Sequence, residues 1–568
     1  MNSRNGGAYL ASALKSYGLT HVFFVDAILR HTLAHLEDHG ITRVLAHSEK
    51  AAAYMADGYA RIRRQPALCM AQSVGAANLA AGLQDAFLAR SPVVAITGRH
   101  IAEHQYRNAY QELPHEPMFR SVSKFSGRID VPTQLPHVLR QAFREATTGR
   151  TGPTHVDVAG NTGSVTDYWP GPFESFLETG FSEVPAFRAY PDPAQVEASA
   201  ALLRSARRPL IVAGVGVAWS GADAELIRFV ESAALPLVTT LDTKAILKTS
   251  HPLNVGVMGT YGTDAANRAV AEADVIVYIG CDLGDQESAN WALPQISARC
   301  IQIDSDPSEL GRNLPDSLKV LSDPKAMISA LSGKVDRLNR PAWLERLTAL
   351  RSVWLEKTLA NRASDALPIR PERLAKELGL ALPDRAVLVA DTGYSSQWAG
   401  QMLDFEGAGQ SFMRAAGSLG WAFPASLGVK AACPERPVIC LTGDGGFMYH
   451  LPELETARRW KLNTVTVVNN NGQLGQGLRN LRTAYEGRSG RMNELYQFEP
   501  LDYAAIAESF GCMGIRVTEP NGIAAAIEAA LASKRPTVID VVSDPAALAP
   551  IPWMPSSRRD ASLTATTS

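Results

Sequence analysis

Short apolar runs bounded by turn residues recur along the chain with helix-period stretches between them, and this alternation is what most limits the fold. Between residue 8 and about 165 the runs are HVFFV (21–25), RVLAH (43–47), ALCMA (67–71) and PVVAIT (92–97). From about 191 to 335 they are RPLIVAG (208–214), LPLVTT (235–240), DVIVYIG (274–280) and RCIQID (299–304). From 368 to 548 they are AVLVAD (386–391), PVICLTG (437–443), TVTVVNN (464–470) and PTVIDVV (536–542). Alternation of this kind reads as parallel sheets wound with helices. The predicted fold class is therefore α/β, with three doubly wound parallel-sheet domains over 1–165, 191–335 and 368–548. A chain of 568 residues is longer than one hydrophobic core supports, which agrees. The Pro-, Gly- and aromatic-rich stretch 166–190 is read as a linker, and 551–568 as a flexible tail that buries little.

Composition narrows the partners. With 55 basic and 57 acidic residues the formal charge is −2, so no nucleic acid or membrane partner is expected and a small molecule is. The six cysteines are scattered without a C-x-x-C pair, which speaks against a disulfide scaffold or a zinc site. No run approaches the ~20 apolar residues of a membrane span, and the N-terminus lacks an apolar leader; a cytoplasmic protein is expected.

The densest signal is one strand–helix–strand unit, PVICLTGDGGFMYHLPELETARRWKLNTVTVVNNNGQLGQG. A right-handed crossover puts Asp444 and Asn471 together at the carboxyl ends of parallel strands, where open α/β sheets bind ligands. Their oxygens, with the carbonyl of Gln473, suit a hard cation that keeps sites for phosphate and water. Gly443, Gly445 and Gly446 let backbone N–H groups approach a pyrophosphate. Either half alone is an ordinary turn sequence; the pair is more specific.

These residues resemble the thiamine-diphosphate enzyme family, whose signature is G-D-G followed at a set distance by N-N. Asp444 and Asn471 stand 27 positions apart, which matches it. The resemblance covers nearly the whole chain, as N-terminal pyrimidine-binding, central and C-terminal diphosphate-binding domains, and is greatest to the acetolactate-synthase branch. It implies thiamine diphosphate and Mg2+ as cofactors. In RVLAHSEKAAAYMADGYAR a helix starts at Glu49, which by itself is a favoured acidic residue in a first turn. The resemblance implies that Glu49 is catalytic, hydrogen-bonding the aminopyrimidine ring so that this ring removes the proton from the thiazolium carbon. It places Leu419, in GSLGWAFPASLGVKAACP, under the folded cofactor, and Tyr394 and Ser395, in DTGYS, at the diphosphate. Glu49 and the metal ligands lie in different domains, and similar enzymes build the site between subunits. A homodimer or homotetramer is expected.

On the substrate side, Gln111 and Glu112 in AYQELPHEPMF resemble a segment in which the glutamine lines the reacting centre. Gln72, Lys124 and His115 are further pocket candidates, His115 as a proton shuttle. Three departures stand out. Phe24-Val25-Asp26-Ala27-Ile28 replaces the family's Pro-Gly, which makes Asp26 a stray pocket carboxylate. Asp282 and Gln286 stand where arginines hold the acceptor's carboxylate, and Asn480 replaces a tryptophan of the acceptor pocket. Gly214-Val215-Gly216, GTYGTDAAN (259–267) and Asp304 lie where relatives hold FAD or ADP; a lone G-x-G is weak evidence, and bound FAD is the less favoured expectation. The expected activity is decarboxylation of a 2-oxo acid and transfer of the resulting acyl carbanion to a carbonyl acceptor. The alternatives are simple 2-oxo acid decarboxylation, 2-hydroxyacyl-CoA or 2-hydroxyketone cleavage, a non-catalytic relative, and a nicotinamide dehydrogenase built on the G-x-G.

Overall fold

The structure, a computed structural model, describes residues 5–26, 29–159, 171, 173–174 and 178–556. The predicted tail from 557 onward and much of the predicted linker, at 166–170, 172 and 175–177, lie outside the described residues, as do Ala27 and Ile28. The first sheet comprises β1 (His21–Phe24), β2 (Thr42–Leu45), β3 (Ala67–Gln72), β4 (Val93–Arg99), β5 (Phe125–Ile129) and β6 (Thr154–Ala159), in the order β2-β1-β3-β4-β6-β5. The second comprises β7 (Pro209–Ala213), β8 (Leu237–Thr239), β9 (Asn254–Val257), β10 (Val275–Ile279), β11 (Arg299–Asp304) and β12 (Leu318–Leu321), in the order β12-β11-β10-β7-β8-β9. The third comprises β13 (Val387–Ala390), β14 (Ser411–Arg414), β15 (Val438–Gly443), β16 (Val465–Asn470), β17 (Met513–Val517) and β18 (Thr537–Val542), in the order β14-β13-β15-β16-β18-β17.

All three sheets are parallel throughout and have six strands. The first and third share one strand order, so the chain repeats a topology around an intervening sheet. In both, the order reverses beside the first strand, between β1 and β3 and between β13 and β15, and the crevice at such a reversal is where ligands bind.

Each sheet carries two strands that the apolar-run pattern did not reveal. β5 and β6 are interrupted by polar residues, and His155 and Asp157 of β6 are buried in a hydrogen-bonded network rather than an apolar one. β9 contains a glycine, β12 and β14 are short edges, and β17 is half exposed.

The first and third domains dock through two helices, Glu49–Arg63 and Ala422–Ala432. The approach is close enough that a Cβ on Gly58 would lie 2.2 Å from Ala425 O, and one on Gly428 would lie 1.8 Å from Met55 O. One buried apolar cluster runs from Phe23 and Val44 of the first sheet to Val387, Val438 and Val538 of the third. Among the described residues no helix is long and apolar enough to cross a membrane.

Candidate active site

β15 and β16 pair in register with Gly443 opposite Asn469, so the loops that follow them meet at one edge. Asp444 is 2 % exposed there; its carboxylate accepts from Gly445 N–H at 2.7 Å and Gly472 N–H at 2.5 Å. Burial pushes its pKa up to about 6, against the pull of neighbouring backbone N–H groups. A bound cation would remove that penalty. Asn471 Oδ1 accepts from Gln473 N–H at 3.3 Å, and Gln473 Nε2 donates to Pro545 O at 2.5 Å, which orients the turn. Among the described residues no three His, Cys, Asp or Glu side chains cluster as a metal site. The set Asp444 carboxylate, Asn471 amide oxygen and Gln473 carbonyl is all oxygen with a single charge, which fits Mg2+ shared with phosphate oxygens.

The glycines here do different work. A Cβ on Gly445 would lie 2.7 Å from Leu474, and one on Gly446 would lie 2.5 Å from Asp391 Oδ2, so both make room for protein. Gly443 is less crowded: a Cβ there would meet Ser395 Oγ at 3.9 Å, an ordinary van der Waals contact. Gly393, at φ +70°, starts the helix Tyr394–Met402 without a side-chain cap, which leaves its first N–H groups for an anion. A Cβ on Gly475 would lie 3.4 Å from both Asn471 Nδ2 and Tyr394 Cδ2, so this glycine sits between the two side chains. The predicted Tyr394, Ser395, Gly443, Asp444, Gly445, Gly446, Asn471 and Gln473 are thus brought together.

Leu419 belongs to a loop that reaches the same edge, where a Cβ on the adjacent Gly420 would lie 3.0 Å from Gly446 O. It is the one large apolar side chain of 415–429 that is not buried, which separates it from an ordinary core leucine. Beside it, Gly420 N–H donates to both oxygens of Asp391 at 3.1 Å, and Asp391 is fully buried, its pKa pushed up to about 7 by burial.

The first sheet's edge carries the other group. Ser48 caps the helix through Ala51 N–H at 3.0 Å, which sets Glu49 as its first residue. Glu49 Oε2 accepts from Asn78 Nδ2 at 3.1 Å, and a Cβ on Gly75 would lie 2.4 Å from Oε1. Both contacts are within its own domain, so one chain does not join Glu49 to the Asp444 edge through them. Gln72 ends β3 ahead of Ser73, whose φ is +38°. Gln111 also has a left-handed backbone, φ +62°, and its Oε1 is buried with no hydrogen-bond partner among the described residues. With His115, Arg99 and Arg128 it lines a cavity of about 780 Å³.

Other pocket candidates are otherwise engaged. His115 Nδ1 lies 3.0 Å from Asp157 Oδ1 and its Nε2 donates to Ser73 O at 3.0 Å, so the ring, while lining the Gln111 cavity, also clamps the Gln72–Ser73 turn. Lys124 caps a helix end, donating to the carbonyls of Glu145 and Thr148. Asp26 is 60 % exposed and pairs with Arg30 at 2.8 Å. Asp282 neutralises the buried Arg90 of the first domain, Gln286 O accepts from Thr260 N–H at 2.8 Å, and Asn480 is exposed. Gly214 and Gly216 are explained by packing, because a Cβ would lie 2.2 Å from Gly280 O and 2.7 Å from Gly280 Cα respectively. Asp304, by contrast, keeps a buried carboxylate oxygen without a hydrogen-bond partner among the described residues.

Sequence reasoning passed over Gly75 and Asn78, which frame Glu49, and Asp85 and Asp391, which hold the Leu419 loop. The first pair lies three and six residues beyond Gln72, on the helix Gly75–Leu88; Asp85 carries no local signal at all.

Comparison with known proteins agrees with this geometry. The N-terminal TPP binding domain of thiamine pyrophosphate enzymes matches residues 4–118, their central domain 196–331, and their C-terminal TPP binding domain 391–541. A probable acetolactate synthase large subunit of Methanocaldococcus jannaschii is 31 % identical over 96 % of this chain and 93 % of its own. The acetolactate synthase isozyme 2 large subunit of Escherichia coli is 29 % identical over 95 % and 96 %. A putative thiamine pyrophosphate-containing protein of Bacillus subtilis is 28 % identical over 95 % and 92 %. With three domains matched in order and likeness spread over nearly its full length, the chain belongs to the thiamine pyrophosphate enzyme family, as an enzyme of the acetolactate-synthase-like branch.

Proposed function

We propose that the enzyme decarboxylates a 2-oxo acid and transfers the resulting acyl unit to a carbonyl acceptor, using thiamine diphosphate and Mg2+ held at the edge of the third sheet. The observation that carries this reading is the meeting of the buried Asp444 carboxylate, held by the Gly445 and Gly472 N–H groups, with the Asn471–Gln473 turn at the paired carboxyl ends of β15 and β16. Bound there, the cofactor would supply a nucleophilic carbon and an acceptor for the electron pair left when CO2 departs. The protein's part is to bind, bend and protonate. Asp444, Asn471 and Gln473 hold the cation, the N–H groups after Gly393 receive the diphosphate, and Leu419 supports the bend between the rings. Glu49 holds a proton toward the aminopyrimidine ring. Gln111 presents its buried Oε1 at the cavity beside His115.

Glu49 and Asp444 belong to different domains, and the contacts of Glu49 are with Asn78 and the Gly75 turn. In this reading a second copy of the chain completes each site, in a homodimer or a larger assembly. The acceptor carries no carboxylate at the middle-domain loop, because Asp282 occupies the expected cationic position and is committed to Arg90. The same observation favours simple decarboxylation as the second reading. No step of either uses FAD.

The test is calorimetric titration of thiamine diphosphate, with and without Mg2+, into wild type, Asp444→Ala and Glu49→Gln, followed by CO2 release from a 2-oxo acid panel with and without an aldehyde. The proposal expects metal-dependent binding by wild type, none by Asp444→Ala, and binding without CO2 release by Glu49→Gln. Wild type that binds no cofactor overturns it; release unaffected by the aldehyde, without a ligated product, selects simple decarboxylation.

A further inference from the structure

The loop that carries Leu419 is anchored from another domain. Asp85, on the first-domain helix Gly75–Leu88, is fully buried, and its carboxylate accepts from three consecutive backbone N–H groups of the third domain. Ala416 donates at 2.9 Å, Gly417 at 3.1 Å and Ser418 at 2.9 Å. Its remaining partner is Arg61 Nη2 at 2.8 Å, from the helix Glu49–Arg63. Three N–H groups in a row point at one anion only when the chain curls around it, so Asp85 dictates the curvature of the turn that ends at Leu419. Downstream, the Gly420 N–H is fixed by Asp391, and the Trp421 indole donates to Asp57 at 2.8 Å. Arg61 closes the circuit: it pairs with Asp57 at 2.6 Å, donates to Arg414 O at 2.7 Å and stacks over Trp421 at 4.4 Å. Leu419 is left as the unburied apolar residue between two clamped flanks.

We infer that Asp85 is a positioning residue, setting the height of the Leu419 side chain and with it the bend of the bound cofactor; this rests on the reading of Leu419 given above. A charged acceptor is required. An asparagine presents an NH2 where Gly417 and Ser418 donate, setting donors against donors, and leaves Arg61 with one carboxylate. A shift of the loop by about 1 Å is enough to cost up to a hundredfold in a reaction that depends on the placement of two groups.

The experiment uses full-length protein loaded with thiamine diphosphate and Mg2+, and follows deuterium exchange at the thiazolium carbon by acid quench and proton NMR, which needs no substrate. Exchange is measured for wild type, Asp85→Asn, Leu419→Ala and the double variant, with cofactor affinity in parallel. The expected result is that each single change slows exchange at least about tenfold while the double variant is no slower than the slower single, the signature of two residues acting through one contact. Asp57→Asn, which shares Arg61 but not the three N–H groups, is expected to slow exchange less than Asp85→Asn. If Asp85→Asn does not fold, the cycle is run with Asp85→Glu, which keeps the charge for Arg61 but moves the acceptor by a methylene. Multiplicative slowing in the double variant, or wild-type exchange in the Asp85 variants, overturns the inference alone. Wild-type exchange in Leu419→Ala overturns it together with the cofactor-bending role of Leu419.

Discussion

Gly75 is a glycine because Glu49 occupies the space a side chain would need, with Oε1 2.4 Å from the position of a Cβ. Gly75→Ala therefore displaces the Glu49 carboxylate while leaving the diphosphate edge intact. The expected result is thiamine diphosphate affinity near that of wild type and turnover at least about tenfold lower, read by calorimetry and steady-state kinetics; unchanged turnover would remove Glu49 from the reaction. A second residue-scale effect concerns stability. Lys244 is 8 % exposed, donates to Gly400 O at 2.8 Å across the middle and third domains, and has its pKa lowered from 10.5 to about 8 by burial, Asp404 pulling the other way. The folded protein then binds fewer protons than the unfolded chain between those values. Its contribution is present above pH 10.5 and is lost as pH falls through about 8. Urea unfolding of wild type against Lys244→Met should show wild type gaining on the order of 3 kcal/mol relative to the variant between pH 8 and 10.5. Equal pH profiles would contradict it. The sequence singled out candidate residues only where a motif named them: Asp444 and Asn471 by spacing, Glu49 by resemblance. The ring partners of His115, Asp157 and Ser73 O, lie 42 residues away on either side and leave no local trace.

At the scale of elements, the helix pair Glu49–Arg63 and Ala422–Ala432 approaches backbone to backbone at Gly58 and Gly428. Gly428→Val drives a branched side chain into Met55 O, and overpacking of this kind costs roughly 1–3 kcal/mol, occasionally more. The urea midpoint should fall accordingly. Gly477→Ala supplies the contrast: it meets nothing within 4 Å and has helical angles, φ −75° and ψ −10°. It should be neutral or stabilising by up to about 1 kcal/mol through the unfolded state. Equal losses in the two variants would mean that helix contact is not what Gly428 serves. The twelve strands read from apolar runs all formed; apart from the edge strand β2, they lie inside their sheets, where burial on both faces leaves a continuous apolar signature. The six that were not read are short edges, contain glycine, or bury polar side chains whose partners come from other strands, as His155 does with Thr97 and Ser126.

For the whole molecule, the question is which copy of Glu49 serves which Asp444. Co-expressing Glu49→Gln with Asp444→Ala distinguishes the arrangements, since each variant alone is inactive in the proposed mechanism. If sites form between copies, a mixed dimer holds one site with both residues intact, and random pairing restores about a quarter of wild-type activity. If each chain builds its own site, mixing restores nothing. The amino-acid sequence by itself determined three parallel sheets, the strand ends that carry Gly443–Gly446 and Asn471, and the family, because strand burial, turn chemistry and motif spacing are properties of neighbouring residues. Only the tertiary structure decided that Asp85 grips a turn 331 to 333 residues away, that Gly75 makes room for Glu49, and that Asp282 answers Arg90. Those pairings arise when docked domains desolvate a charge and leave it one available partner, and no local pattern encodes which distant backbone that will be.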